Sequence, residues 1–301
     1  MSRHTFVFEA HAKVNLCLAV HYPPQEGGYH LLDSVFQELG LHDSLIVSVQ
    51  DSASYNPVRT KRGTAVMLDC PVAGLAGEDN LIFRALDLAE QLCAIPATDS
   101  GKMLCIEVKK RIPAGGGLGG GSSDAAAMLK AYAQLAGLDP LDARLLHAAR
   151  QLGADVAFFL YGGAALMRGR GDVLDRRLPP LRLPIVLMGD DTGMSTAAIY
   201  RAFDENPPAV PDADELAKAM ESADIDMLRA AALCSNNLGP AACEQNERLR
   251  NRIEKARAHP DVLNALVSGS GSTSFAICRD SKAASRFARD IAPDCAWVET
   301  C

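Results

Sequence analysis

Between Arg111 and Ala125 the chain reads Arg-Ile-Pro-Ala-Gly-Gly-Gly-Leu-Gly-Gly-Gly-Ser-Ser-Asp-Ala, and no other stretch of its 301 residues limits the fold so strongly. Six of the 24 glycines fall here, followed by Ser122, Ser123 and an alanine-rich run. Glycine tolerates positive φ and lets backbone N–H groups come close to a ligand. Where such a loop runs into a helix start, its amides converge on an anion and the helix dipole adds partial positive charge. Glycine and serine also make flexible linkers. A linker, however, does not normally run straight into a helix former as strong as Asp124-Ala125-Ala126-Ala127-Met128-Leu129. The stretch is expected to cradle phosphate.

The loop is not of either common nucleotide-binding type. Gly115, Gly117 and Gly120 formally satisfy G-x-G-x-x-G. The strand expected before them alternates and ends Lys109-Lys110-Arg111, whereas the first strand of a dinucleotide-binding unit is a buried apolar run. Asp139 follows Gly120 by 19 residues but reads as a helix cap rather than a strand end. A Walker A loop needs Lys-Ser or Lys-Thr after its glycines, and none is present. Phosphate charge must then be met by amides, a metal ion and cations from elsewhere in the chain. Lys13, Lys110 and Arg111 qualify.

Periodicity places the rest. Phe6, Phe8, Ala10, Ala12, Val14, Leu16, Leu18 and Val20 share one parity, so 6–21 is expected to be a strand. Lys13 and Asn15 then share the opposite face with Cys17 and Ala19. Pro23 to Gly28 reads as a turn, with Tyr29 and His30 at its exit. Strands are expected at 45–49 and 104–110, a polar loop at 51–64, and a helix over 81–93 capped by Asp79 or Asn80. A helix should follow the glycines to Ala136 and stop at Gly137, and another should open at Asp139-Pro140 and end near Gly153. Asp155 then stands ahead of the apolar run 156–161, where a carboxylate must be paired, capping or poised for chemistry. Leu178-Pro179-Pro180-Leu181 is the best linker, dividing the chain into 1–177 and 182–301. Beyond it come a strand at 185–188, a helix at 197–203, helical stretches near 212–222, 224–233 and 242–258, a strand at 275–278, a helix at 281–292 and a strand at 296–299. Strands and helices mix without strict alternation, so the class is α+β.

Composition narrows the function. Two domains of about 150 residues each suit this length. A net charge of -7 leaves no basic surplus for binding a nucleic-acid backbone. Nine scattered cysteines lack C-x-x-C or other metal-ligand spacing and are expected to be reduced thiols of a cytoplasmic protein. No apolar leader segment and no run of about 18 apolar residues occurs, so no membrane association is expected.

At Pro113–Ser123 the chain resembles the P-x-x-x-G-L-G-S-S-A-A phosphate loop of the GHMP kinases, in the longer form GGGLGGGSS. Ala12-Lys13-Val14-Asn15-Leu16, Gly28-Tyr29-His30, Asn80-Leu81-Ile82, Leu152-Gly153-Ala154-Asp155-Val156 and Ser268-Gly269-Ser270-Gly271-Ser272 are similar to further motifs of that family, in the same order. The resemblance implies a two-domain fold, with an N-terminal domain like the second domain of ribosomal protein S5, a ferredoxin-like C-terminal domain and the active site in the cleft between them. It implies an ATP- and Mg2+-dependent kinase whose acceptor is an alcohol. The longer loop points to the members acting on a cytidine-diphosphate-linked methylerythritol in isoprenoid precursor synthesis.

Carried over by position, the resemblance gives Asp155 as the catalytic carboxylate with Lys13 beside it. Pro113, Ala114, Gly115, Gly116, Gly117, Leu118, Gly119, Gly120, Gly121, Ser122 and Ser123 become the ATP cradle, with Asn80 and Lys110 contacting the nucleotide. Tyr29 and Tyr200 would stack on the cytosine, His30 and Asn15 would hydrogen-bond to it, and Thr196 would lie nearby. No residue is assigned as a metal ligand, since Ser122, Ser123 and Asp124 serve equally well. The chain departs from the family at Gly27, where Asp is usual, in a shortened 22–26 loop, and at Asn236-Asn237-Leu238-Gly239, where the family has an acidic N-D-L-E. Another small alcohol (a sugar, homoserine or a mevalonate type) and a non-catalytic nucleotide-binding protein of the same fold are the alternatives. The oligomeric state, monomer or homodimer, is not readable from the pattern.

Overall fold

A computed structural model describes residues 5–52, 57–71, 77–191, 193–222 and 224–301. Contacts divide the chain into two compact units, each assembled from separate segments. The first comprises 1–12, 41–113 and 119–162, and the second 13–40, 114–118 and 163–301. Two long strands, β1 (Thr5–Val20) and β2 (Leu32–Asp51), each run through both units.

In the first unit, β2 pairs antiparallel with β5 (Lys102–Lys109), and β5 pairs parallel with β4 (Ala65–Asp69), which carries the short β3 (Val58–Arg59). Four helices pack together there: α1 (Leu81–Cys93), α2 (Gly120–Ala136), α3 (Ala143–Leu152) and α4 (Ala154–Tyr161). Buried Glu90 of α1 ties the helix to the turn between β3 and β4. Its carboxylate accepts from Thr60 Oγ1 and Thr64 Oγ1 (2.5 Å each) and from the Ala97 amide (2.6 Å).

In the second unit, β2 pairs antiparallel with β6 (Ala164–Arg168), and β6 with β7 (Val173–Leu178). A four-stranded antiparallel sheet in the order β10-β11-β8-β12 is built from β8 (Ile185–Gly189), β10 (Val262–Val267), β11 (Ser274–Cys278) and β12 (Trp297–Thr300). The helices α5 (Thr196–Glu205), α6 (Ala213–Glu221), α7 (Met227–Leu233), α8 (Gly239–Gln245), α9 (Glu247–Ala258) and α10 (Ser281–Ile291) complete it, and β9 (Ser235–Asn236) pairs parallel with β1. Among the described residues no helix is long and apolar enough to cross a membrane.

The helix expected over 81–93 stands at those bounds, and the one expected to follow the loop ends at Ala136 as read but already begins at Gly120, within the glycines. Asp139, read from the sequence as the next cap, instead closes a turn on the Leu141 amide (2.8 Å), and Asp142 caps α3 three residues later. The helix expected at 242–258 is two, broken where Asn246 leaves the helical region and caps the second. β2 extends well before the expected 45–49, and of the polar 51–64 segment residues 53–56 lie outside the described residues. The face of β1 carrying Lys13 and Asn15 is not solvated: from Ala12 onward both faces are buried.

Candidate active site

In the second unit, residues 114–118 of the glycine loop are held on both sides. The Lys13 amide of β1 donates to Leu118 O (3.0 Å). From the turn between β10 and β11, the Thr273 amide donates to Gly116 O (3.2 Å) and Ser268 Oγ to Gly117 O (3.1 Å). Gly117 has φ +78°, and a Cβ there would collide with the Ser268 carbonyl oxygen. One on Gly116 would strike Thr273 Oγ1. Gly117 is therefore required by the close approach of another backbone segment, whatever the loop binds, whereas the neighbour of Gly116 is a side-chain hydroxyl.

Lys13 is 4% exposed. Its Nζ donates to Asn15 Oδ1 (2.9 Å) and lies 5.0 Å from the centre of the Phe36 ring. Asn15 Nδ2 donates to Ser34 Oγ (2.9 Å), whose hydroxyl donates to Cys17 O (2.7 Å). This relay fixes the Asn15 amide with its oxygen toward the lysine. A Cβ on Gly269 would sit 3.7 Å from Asn15 Oδ1 and 3.9 Å from Lys13 Nζ, so the Ser268–Thr273 turn reaches the same spot.

His30 is buried, with its ring centre 5.0 Å from that of Tyr200 and 5.7 Å from that of Phe203. Its Nε2 is 2.7 Å from Asp204 Oδ1. Tyr29 is 60% exposed, with the Arg170 guanidinium 5.2 Å from its ring centre. Thr196 Oγ1 is 3.0 Å from Ser270 Oγ. Thr196, Tyr200 and Asp204 recur every fourth residue on α5, so one helix face carries all three. Of the two acidic positions absent near 237, the one occupied by Asn237 has a local reason. Asn237 takes the place of a strand neighbour for Val20, accepting from its amide (2.8 Å) and donating to its carbonyl (2.9 Å), while Asn236 Nδ2 donates to Val267 O (2.9 Å) and Gly269 O (2.8 Å).

The first unit holds the other predicted residues. Lys110 Nζ is clamped between Asp43 Oδ2 and Asp124 Oδ2, at 2.7 Å from the latter. Asp43 is fully buried, and its Oδ1 accepts the amides of Arg111 (2.5 Å) and Ile112 (2.8 Å). One carboxylate thus fixes both the lysine and the start of the glycine loop. Burial pulls the Lys110 ammonium down, but the two carboxylates more than offset this and hold it above its ordinary range. Burial raises the Asp124 carboxyl to about 7, with Lys110 opposing and Asp43 adding to the rise. Asp124 Oδ1 is buried without a hydrogen-bond partner among the described residues.

α2 opens after Gly119, which offers no side-chain cap to its first amides. Ser123 is buried in that first turn and Ser122 half-buried. Asn80 is spent on capping α1, its Oδ1 accepting the Ile82 amide (2.8 Å). Asp155 is half-buried in the first turn of α4, where the helix dipole favours its charge.

Asp43 and Asp204 were not legible as functional residues from motif spacing. Each nevertheless left a signal. Asp43 shares parity with Leu41, Leu45 and Val47 on the apolar face of β2, and Asp204 completes the α5 stripe begun by Thr196 and Tyr200.

Residues 80–163 match the model of the GHMP kinases N terminal domain, and 210–294 that of the GHMP kinases C terminal. A 4-diphosphocytidyl-2-C-methyl-D-erythritol kinase of Pelotomaculum thermopropionicum is 36% identical over 93% of this chain and 91% of its own. One of Nocardioides sp. is 36% identical over 94% and 91%. A crystal structure of 4-(cytidine 5'-diphospho)-2C-methyl-D-erythritol kinase superposes with a TM-score of 0.75 at 31% identity, covering 98% of both chains. A homoserine kinase from Cytophaga hutchinsonii shares the fold, with a TM-score of 0.69 at 19% identity over 100% of this chain and 94% of its own. With both domain models matched and relatives aligned nearly end to end, the chain belongs to the GHMP kinase family.

Proposed function

We propose that this chain is an ATP-dependent kinase that transfers the γ-phosphoryl group to the 2-hydroxyl of 4-diphosphocytidyl-2-C-methyl-D-erythritol, in the non-mevalonate route to isoprenoid precursors. The observation that carries the substrate choice is the pairing of buried His30 with the Tyr200 ring beside exposed Tyr29, an arrangement suited to a flat base. Full-length identity to relatives of that name supports it. The chain acts in this reading on a small molecule in the cytoplasm, with no nucleic-acid or membrane partner, and as a monomer or homodimer. Its working domains are 1–177 and 182–301.

Phosphoryl transfer passes through a loose transition state, so positioning and charge neutralisation count for more than strong base chemistry. Asp155 orients the acceptor hydroxyl and takes its proton late. Lys13, with its amine aimed by Asn15, neutralises charge on the group in transfer. Residues 113–123 hold the phosphates through backbone amides and the start of α2. Asn80 and Lys110 contribute to the nucleotide site, the lysine chiefly by fixing the loop's first residues through Asp43. Tyr29 and Tyr200 stack on the cytosine, His30 and Asn15 hydrogen-bond to it, and Thr196 lines the same pocket. The unpartnered Asp124 Oδ1 with the Ser122 and Ser123 hydroxyls is an oxygen set of the kind Mg2+ accepts, the remaining positions falling to phosphate and water. Held by these oxygens, Mg2+ would supply neutralisation of phosphate charge.

A coupled assay of ADP release over a panel of alcohols tests the proposal. Turnover of the cytidine-diphosphate-linked methylerythritol, with none on galactose or homoserine, is expected; turnover of galactose or homoserine alone overturns it.

A further inference from the structure

His30 sits in the second unit with one ring nitrogen committed. Its side chain is 5% exposed, and Nε2 lies 2.7 Å from Asp204 Oδ1. Tyr200 and Phe203, from the same helix as Asp204, pack against the ring at 5.0 and 5.7 Å between centres. Helix α5 therefore supplies both the aromatic walls and the carboxylate, and the imidazole can neither flip nor slide without losing all three. In a neutral imidazole the nitrogen facing a carboxylate carries the proton, so the other nitrogen is left as an acceptor. Nδ1 has no hydrogen-bond partner among the described residues.

We propose that Asp204 is a positioning residue: by accepting the Nε2 proton it presents His30 Nδ1 as a fixed acceptor for the exocyclic amino group of cytosine, and so selects cytidine over uridine nucleotides. Cytosine offers an N–H donor at its 4-position, whereas uracil offers a carbonyl oxygen there. A second acceptor facing that oxygen leaves two lone-pair atoms opposed, which rejects the wrong base more strongly than a missing contact does. Asp204 belongs to no motif that marked the site in the sequence. It touches the base only through the imidazole. The inference rests on the proposed cytidine-linked substrate.

The experiment measures binding of CDP and UDP by calorimetry, and KM for substrate and for ATP, in the full chain and in Asp204→Ala, Asp204→Asn and His30→Ala. The full chain is expected to prefer CDP. Asp204→Ala should lose about tenfold in CDP affinity and in substrate KM, the worth of one directed hydrogen bond, and most of the preference over UDP. The KM for ATP and the thermal midpoint should stay near those of the full chain. Asparagine can accept the same proton, so Asp204→Asn should recover most of the preference. In a His30→Ala background, Asp204→Ala should have no further effect on CDP binding. A CDP-to-UDP ratio unchanged in both Asp204 variants overturns the inference while leaving the substrate assignment intact. A full chain that does not distinguish CDP from UDP overturns the assignment, and the inference with it.

Discussion

Two lysines, Lys13 buried and Lys110 partly buried, lie one in each unit and are held by different groups. Lys110 is clamped by two carboxylates, and one of these, Asp43, spends its other oxygen on the backbone where the glycine loop begins. Lys13 donates to the Asn15 amide oxygen, which a hydroxyl relay fixes in turn, and lies over the face of Phe36. A carboxylate clamp saturates an ammonium and makes it part of the scaffold. The Asn15 amide aims the Lys13 ammonium, and an aimed ammonium is placed to answer a phosphate. The comparison assigns Lys110 to building the loop and Lys13 to chemistry, although the sequence makes both equally good phosphate ligands.

The sharpest way to break this assignment is through turnover. Asp155→Asn and Lys13→Met should each lower kcat by about a thousandfold, within the span usual for a positioned acid–base or charge-stabilising group. Apparent ATP affinity should change little in Asp155→Asn, and both variants should keep the thermal midpoint of the parent. Steady-state kinetics and thermal melts decide it. Turnover of Asp155→Asn at the parent rate would remove the carboxylate from the mechanism.

Lys110→Met should show the reverse pattern, with stability affected first. It leaves the Asp43 and Asp124 carboxylates buried without their cation, at a cost of about 3 kcal/mol, the usual penalty for breaking a buried pair from one side. Urea unfolding measures this directly. If Lys110→Met melts like the parent while turnover collapses, the two lysines have been assigned the wrong way round.

The elements legible in the sequence are those whose signal is local. α1 carries helical spacing behind the Asn80 cap and α2 an alanine-rich run stopped by left-handed Gly137, and both end as read. β6 and β7 were not legible: β6 takes one neighbour from a distant stretch of β2, and β7, paired to β6, is a largely polar, half-exposed edge. The same division runs through the site. Lys13, Asp155 and the glycines belong to contiguous motifs, whereas Asp43 and Asp204 act across 68 and 174 residues of chain and left only a parity violation and a helical stripe. The glycines themselves were read incompletely. Gly116 and Gly117 are fixed by the 268–273 turn, a contact 151 residues away in sequence at Ser268.

That last point separates two positions in one loop. Gly115 and Gly117 both have positive φ, at +74° and +78°, but only at Gly117 does a Cβ meet backbone. Gly115→Ala should cost about 1–2 kcal/mol from the left-handed conformation alone. Gly117→Ala adds the collision with Ser268 and should displace the loop, raising KM for ATP about tenfold beyond any change in Gly115→Ala. Equal effects of the two substitutions on stability would show that the turn yields, and that the close approach is not what requires glycine.

The smallest expected effect tests the clamp from its acidic side. Burial raises the Asp124 carboxyl to about 7, well above an unfolded value of 3.8. Between those two values the folded chain binds more protons at this site than the unfolded chain, so its contribution is complete below the lower value and is lost as pH rises through the upper one. Asp124→Asn abolishes the titration. The stability of the parent relative to Asp124→Asn should therefore fall between pH 4 and pH 7, by at least about 1.4 kcal/mol, the linkage worth of one pKa unit. Urea midpoints of both proteins across that range measure it. A difference that instead grows with pH would mean that the ionised Asp124–Lys110 pair outweighs its own desolvation, and Lys110 would then be held by two full charges rather than by one charge and a shared proton.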